Sequence, residues 1–232
     1  MSARRPPADE RVVGRLLLKK GLTLAVAESC TGGLIGDRFT DVPGSSRYFA
    51  GGVIAYSNSA KVATLDVRKQ TLAKWGAVSE QTVREMAAGV CRRFGAQVGV
   101  SVSGIAGPGG GSRRDKVQPP FSSAESGGSP AKPVGLVYIC VKVGRRIEVE
   151  RHRFRGGRRS VKEQAATAAL GLCRRILEDW VEARFSSETR YSHRFPRKTG
   201  TDTVFVGRKP CQSPRKAVAV PSEGRASPLE ET

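Results

Sequence analysis

Two short apolar runs, each broken off by a glycine-bearing stretch, constrain this chain more than any other feature. Leu22 to Ala27 ends at Glu28-Ser29-Cys30-Thr31-Gly32-Gly33, and the β-rich Gln97 to Val102 ends at Ser103-Gly104-Ile105-Ala106-Gly107-Pro108-Gly109-Gly110-Gly111. Runs this short suit buried strands, and a glycine loop continues neither regular structure. Helical periodicity precedes each run. Val12, Val13, Leu16 and Leu17 recur before a stop at Gly21, and Val83, Met86, Ala87, Val90, Cys91 and Phe94 form one stripe of a helix from Ser79 to about Phe94, stopped by Gly95. Helix, strand and loop in that order, twice over, predict a layered α/β domain whose loops meet at strand ends, where ligands of open sheets collect.

The intervening and following segments fit that plan. A helix is expected after the first loop through Phe39, then a turn at Pro43-Gly44-Ser45-Ser46 and a strand over Tyr48 to Tyr56. Val134 to Val143 and Ile147 to Phe154 read as a hairpin joined at Gly144, with Arg145 and Arg146 in or near the turn, so antiparallel pairing joins the sheet. In the last helix, Ser160 and Glu163 have capping-box spacing, Val161, Ala165, Ala168, Ala169, Leu172, Ile176 and Trp180 supply the buried stripe, and the end is expected near Phe185. The implied organisation is a disordered start over residues 1–7, one domain over 8–185 and a basic, disordered tail over 186–232. A mobile insert rich in Ser, Pro, Gly and charge occupies 112–132.

The net charge of +19 raises the question of a polyanionic partner. Much of the excess falls outside the predicted core, at Arg4, Arg5, Arg113, Arg114 and from Arg184 to Lys216, so nucleic acid is not expected as the primary partner. No run approaches the roughly 20 apolar residues of a membrane span, and Met1 to Glu10 lacks an apolar signal core. A cytoplasmic protein without membrane association is expected. Cys30, Cys91, Cys140, Cys173 and Cys211 form no CxxC pair, which argues against a disulfide framework or a zinc knuckle. All but Cys30 read as buried thiols.

Ser29, at a strand-to-helix junction before Thr31, Gly32 and Gly33, is placed where a hydroxyl and unpaired amides meet, as in an oxyanion hole. A plain N-cap role for Ser29 or Thr31 explains the residues equally well. The stretch matches neither a Walker loop nor a G-x-S-x-G elbow. A serine nucleophile needs a base, and the only histidines, His152 and His193, lie in a basic strand and in the tail. Lysine is the natural substitute. Lys61 follows the strand through Ser57-Asn58-Ser59-Ala60, and a desolvated lysine can act as base; a solvated surface lysine is the alternative. Cys30 competes as nucleophile, since a thiol near a helix N-terminus has a depressed pKa. The loop around Gly107 can bring amides to a phosphate, or be only a turn. Arg158, just ahead of the capping box, can meet the same anion, or be one basic residue among Arg153, Arg155 and Arg159.

Taken together, Ala27-Glu28-Ser29-Cys30-Thr31-Gly32-Gly33, Gly52-Val53-Ile54-Ala55-Tyr56-Ser57-Asn58, Lys61, Gly76-Ala77-Val78-Ser79 and Ser103-Gly104-Ile105-Ala106-Gly107-Pro108 closely resemble the CinA C-terminal domain family. The likeness continues through Lys132-Pro133-Val134-Gly135 and Phe154-Arg155-Gly156-Gly157-Arg158 and covers roughly residues 8 to 183. It implies a three-layer α/β/α sandwich with a mostly parallel, mixed sheet, in a stand-alone form without the amino-terminal domain of some members. The implied activity is nicotinamide-nucleotide amidohydrolase, converting nicotinamide mononucleotide to nicotinate mononucleotide and ammonia without cofactor or metal. By position, Ser29 is the implied nucleophile, Lys61 its base and Tyr56 the phenol supporting the pair. Thr31, Gly32, Gly33, Ser103, Gly107 and Arg158 are the implied substrate-binding residues, and a homodimer is the implied assembly. Ser103 stands where many members have threonine. Gly157 replaces the usual aspartate before the arginine, the insert lengthens a connection that is usually short, and the tail has no counterpart.

Two other functions compete. One is a non-catalytic, competence-related protein whose tail, with Arg194, Arg197, Lys198, Arg208 and Lys209, engages nucleic acid. The other is an amidase for a different small amide.

Overall fold

Helix α1 (Asp9–Lys20) carries Asp9 and Glu10 in its first turn and Lys19 and Lys20 in its last, which complements the helix dipole. It stops at Gly21, whose φ of 62° few other residues adopt. The chain then enters β1 (Leu24–Glu28), buried along its whole length. This computed structural model describes residues 9–108 and 132–191, with side chains to Trp180. The expectations for residues 1–7, for the insert up to Ala131 and for the tail beyond Tyr191 lie outside the described residues.

After β1 come α2 (Leu34–Thr40), β2 (Phe49–Ile54), α3 (Asn58–Leu65), α4 (Lys69–Trp75), α5 (Glu80–Phe94), β3 (Val98–Gly104), β4 (Leu136–Val143), β5 (Arg146–Arg153) and α6 (Arg158–Tyr191). The strands form one sheet in the order β2-β1-β3-β4-β5. β1 runs parallel to both β2 and β3, whereas β3–β4 and β4–β5 are antiparallel. The expected mixed α/β sheet is present. Its ladders divide evenly between the two senses because the hairpin turning at Gly144 supplies two strands of the five.

Side-chain alternation makes the layers. Leu24 and Val26 of β1, with Val98, Val100 and Val102 of β3, face a core shared with Val13, Ile35, Phe39 and Ala169 of α1, α2 and α6. Ala25 and Ala27 point the other way, onto Leu65, Leu72, Met86 and Val90 of α3, α4 and α5. The second face is tight. A Cβ at Gly89 of α5 would lie 2.0 Å from the Leu65 carbonyl oxygen, so two helix backbones touch there.

Three local differences from the sequence reading have physical reasons. Helices α3 and α4 were not foreseen: they are short, and Ser57-Asn58-Ser59 looks like a loop until the Ser57 hydroxyl accepts the Ala60 amide at 3.0 Å and caps α3. The capping box at Ser160 does not form. The Gly157 carbonyl already accepts the Val161 amide, Ser160 Oγ accepts from Gln164 and Glu163 pairs with Arg159, so Ser160 lies inside α6. That helix also runs past Phe185 to Tyr191, because no glycine or proline interrupts 186–191. Loss of apolar residues ends a helix's buried face and not the helix itself. Among the described residues no helix is long and apolar enough to cross a membrane.

Candidate active site

The parallel strands β1 and β3 deliver their C-terminal ends side by side, and Ser29, directly after β1, stays tied there by its amide, which donates to the Val102 carbonyl at 3.1 Å. Glu28, 1% exposed, sends its carboxylate forward instead of outward. Its oxygens accept the amides of Gly33 (3.0 Å), Ile35 (3.1 Å) and Gly36 (2.8 Å). The start of α2 is therefore satisfied by the protein's own carboxylate, with Gly33 at the cap position. This corrects two readings. Ser29 and Thr31 do not cap the helix, and the amides of Gly33, Ile35 and Gly36 are not available to a ligand. The Ser29 hydroxyl is left for other work.

That work is defined by Lys61, which the Ser57-capped first turn of α3 folds back over the sheet. Its Nζ lies 3.2 Å from Ser29 Oγ and 3.1 Å from the Tyr56 carbonyl oxygen. Lys61 is 1% exposed, and its hydrogen-bond partners are a hydroxyl and a carbonyl, neither of which balances a positive charge. Burial pulls its pKa from 10.5 down to about 8. The reading of Lys61 as a solvated surface residue is thereby overturned.

Cys30 is buried beside this pair, and burial pushes its thiol up to about 12. The expectation of a depressed pKa fails because desolvation outweighs the attraction of Lys61 and Arg158. Cys91, Cys140 and Cys173 are buried free thiols, as expected, while Cys211 lies outside the described residues.

One cavity of about 150 Å³ gathers Ser29, Cys30, Tyr56, Lys61, Ser103 and Arg158. Its far wall is the backbone at Ala77 and Val78, just before α5. Ser103 Oγ donates to the Ala77 carbonyl at 2.7 Å, so its hydroxyl secures that wall. Lys132 secures the same strap, donating to the carbonyls of Trp75 (2.6 Å) and Val78 (2.7 Å). Arg158 donates to the Gly107 carbonyl at 2.9 Å and to the Tyr56 hydroxyl at 2.8 Å. With Gly157 beside it, the arginine is held by these two groups across the cavity mouth. Tyr56 thus touches Lys61 through its carbonyl, while its phenol is turned outward to Arg158.

The remaining expected residues stand outside this cavity. Thr31 is fully buried, and its hydroxyl has no partner among the described residues. Gly32 and Gly33 shape the turn after Cys30, and Gly107 contributes its carbonyl to Arg158. His152 pairs with Glu150 on β5, and His193 lies outside the described residues. Among the described residues no group of three or more His, Cys, Asp or Glu side chains is placed to hold a metal ion.

The family described as the CinA C-terminal domain matches residues 8–117 and 122–177. The chain belongs to this family. A CinA-like protein of Kosmotoga olearia is 44% identical over 168 residues, which is 72% of this chain and 37% of that protein. A CinA-like protein of Desulfotalea psychrophila is 46% identical over 167 residues, 72% of this chain and 36% of that protein. The chain therefore spans little more than a third of these curated relatives. Among solved structures, the competence/damage inducible protein CihA from Agrobacterium tumefaciens is 37% identical with a TM-score of 0.60, over 74% of this chain and 96% of its own. A CinA superfamily protein from Klebsiella pneumoniae is 31% identical with a TM-score of 0.63, over 74% of this chain and 99% of its own.

In this CinA domain two contributors escaped sequence reasoning. Glu28 is a carboxylate just ahead of a glycine-bearing helix start, a signal that a search for caps among Ser, Thr, Asp and Asn passes over. Lys132 is visible as a basic residue re-entering the fold before Pro133, but its two carbonyl partners are 54 and 57 residues away.

Proposed function

We propose that this CinA domain is an amidohydrolase that deamidates nicotinamide mononucleotide, with Ser29 as nucleophile and Lys61 as its base. The observation that carries the reading is the buried contact of 3.2 Å between Lys61 Nζ and Ser29 Oγ, together with a lysine pKa of about 8. A neutral amine near pH 8 can take the serine proton; the thiol of Cys30, at about 12, is not ionised there.

Ser29 Oγ attacks the carboxamide carbon as its proton passes to Lys61. Of the turn residues after Ser29 only Cys30 lines the cavity, so its amide is the one that receives the oxyanion in this reading. Collapse of the adduct breaks the C–N bond, and Lys61 returns the proton to the departing ammonia. The acyl-Ser29 ester is then cleaved by a water that Lys61 deprotonates, releasing the carboxylate product and restoring the serine proton. One amide and one water give one carboxylic acid and one ammonia.

A cavity of about 150 Å³ is below the roughly 300–1,000 Å³ of sites that enclose a drug-sized ligand. It suits the amide-bearing ring, with ribose and phosphate leaving through the mouth where Arg158 stands. The reading is tested by following ammonia and nicotinate mononucleotide release from nicotinamide mononucleotide by the full chain and by Ser29→Ala. Release by the first alone supports it. A folded chain that releases neither product would transfer the assignment to another small amide or to binding without turnover.

A further inference from the structure

Beside the amide cavity lies a second, wider one of about 450 Å³, lined by Leu34, Arg158, Arg159, Lys162 and Glu163. The two share Arg158 as a lining residue. Lys162 stands three and four residues after Arg159 and Arg158, which puts three cations on one surface of the first turns of α6. Like charges at this spacing repel, and the structure compensates only part of the repulsion. Arg159, with a side chain 94% exposed, pairs with Glu163. Arg158 is held by a carbonyl and a hydroxyl, which orient it without neutralising it.

Lys162 has neither kind of partner. The residues that α6 places next to it are Arg158, Arg159, Ala165 and Ala166, so no carboxylate lies one turn away. It makes no hydrogen bond or ion pair among the described residues. The residue is nevertheless half-buried. It rests against the turn that follows Ser29, with Nζ 3.5 Å from where a Cβ at Gly32 would lie. Elsewhere on α6, among the described side chains, the arginines are answered by acids: Arg174 by Glu178 and Asp9, and Arg175 by Glu150. The unanswered lysine is the one beside the nucleophile's turn.

We propose that Lys162, with Arg158, forms a subsite for the phosphate monoester of the substrate, and that Lys162 sets the preference for a phosphorylated over an unphosphorylated amide. The proposal rests on the deamidase reading for the identity of the substrate, but not for the existence of the anion subsite. A dianion placed between the two cations removes their mutual repulsion and gains charge-assisted hydrogen bonds. An uncharged ribosyl amide gains neither.

The test separates binding from turnover. In the full chain with Ser29→Ala, dissociation constants for nicotinamide mononucleotide and for nicotinamide riboside are measured by calorimetry, and their ratio is the readout. The expected ratio favours the phosphorylated compound by about tenfold or more, falls about tenfold with Lys162→Met and is retained by Lys162→Arg. A ratio indifferent to Lys162→Met overturns the proposal. Ammonia release by the protein with Ser29 intact is followed in parallel. A Lys162-dependent ratio without hydrolysis keeps the subsite and overturns the deamidase reading, whereas hydrolysis with an indifferent ratio does the reverse. Binding of neither compound overturns both.

Discussion

Lys61 can accept the Ser29 proton only while it is neutral, and burial, by pulling its pKa down to about 8, brings that form within reach of ordinary conditions. The proposed turnover therefore follows a definite pH course: kcat/KM rises about tenfold per unit well below pH 8 and levels off above it. The same shift links to stability. In the unfolded chain Lys61 keeps its proton up to about 10.5, whereas in the folded chain it releases it near 8. Between these values the unfolded state binds more protons, so stability rises as pH rises from about 8 to about 10.5 and is lost over the same window as pH falls. Denaturation midpoints of wild type and Lys61→Met across that window check the sign, since the methionine variant lacks the rise. Lys61→Met also lowers kcat/KM by roughly a thousandfold, measured as ammonia release. Cys30→Ala, in contrast, retains turnover within about fivefold, because a thiol held at about 12 supplies no thiolate; loss comparable to that of Ser29→Ala would make Cys30 the nucleophile.

The Ser29–Lys61 pair is aligned by helix packing that neither residue controls. Lys61 rides on α3, whose last residue, Leu65, presents its carbonyl to Gly89 of α5. A methyl group at position 89 would meet that oxygen at 2.0 Å, and backbone cannot swing aside as a side-chain tip can. Gly89→Ala, although favourable for an isolated helix, is expected to destabilise the fold by about 2–3 kcal/mol through overpacking. By pushing α3 it should also cost turnover, beyond what stability alone explains. Chemical denaturation read beside kcat of the folded fraction separates the two effects. At this scale α5 and the β4–β5 hairpin are legible in the sequence, because each has a sustained period and a glycine stop. The helices α3 and α4 are not, since eight and seven residues hold too few turns for a stripe to show.

Across the whole chain, much of the charge lies in a different stretch of sequence from the chemistry. The net charge of +19 includes a long basic stretch after Tyr191, whereas Ser29, Lys61, Tyr56, Ser103 and Arg158 converge on one cavity. Deleting everything after Ser192 is therefore expected to leave the proposed turnover within about twofold, measured on nicotinamide mononucleotide. A loss of turnover much larger than that would tie the basic segment to the site.

By itself the sequence determined the class of the fold, the places of its longer helices and strands, and the residue types that carry the chemistry. Periodicity and glycine stops are local properties, and they report local structure. The same sequence left Ser29 open between cap and nucleophile, Lys61 between surface and base, and Cys30 between thiol and thiolate. Only the tertiary structure removed the cap, surface and thiolate alternatives, because each depends on how much water the fold removes and on which distant group fills the space. Glu28 took the amides that Ser29 would have capped. Burial moved Lys61 and Cys30 in opposite directions, down to about 8 and up to about 12, because it disfavours whichever form is charged.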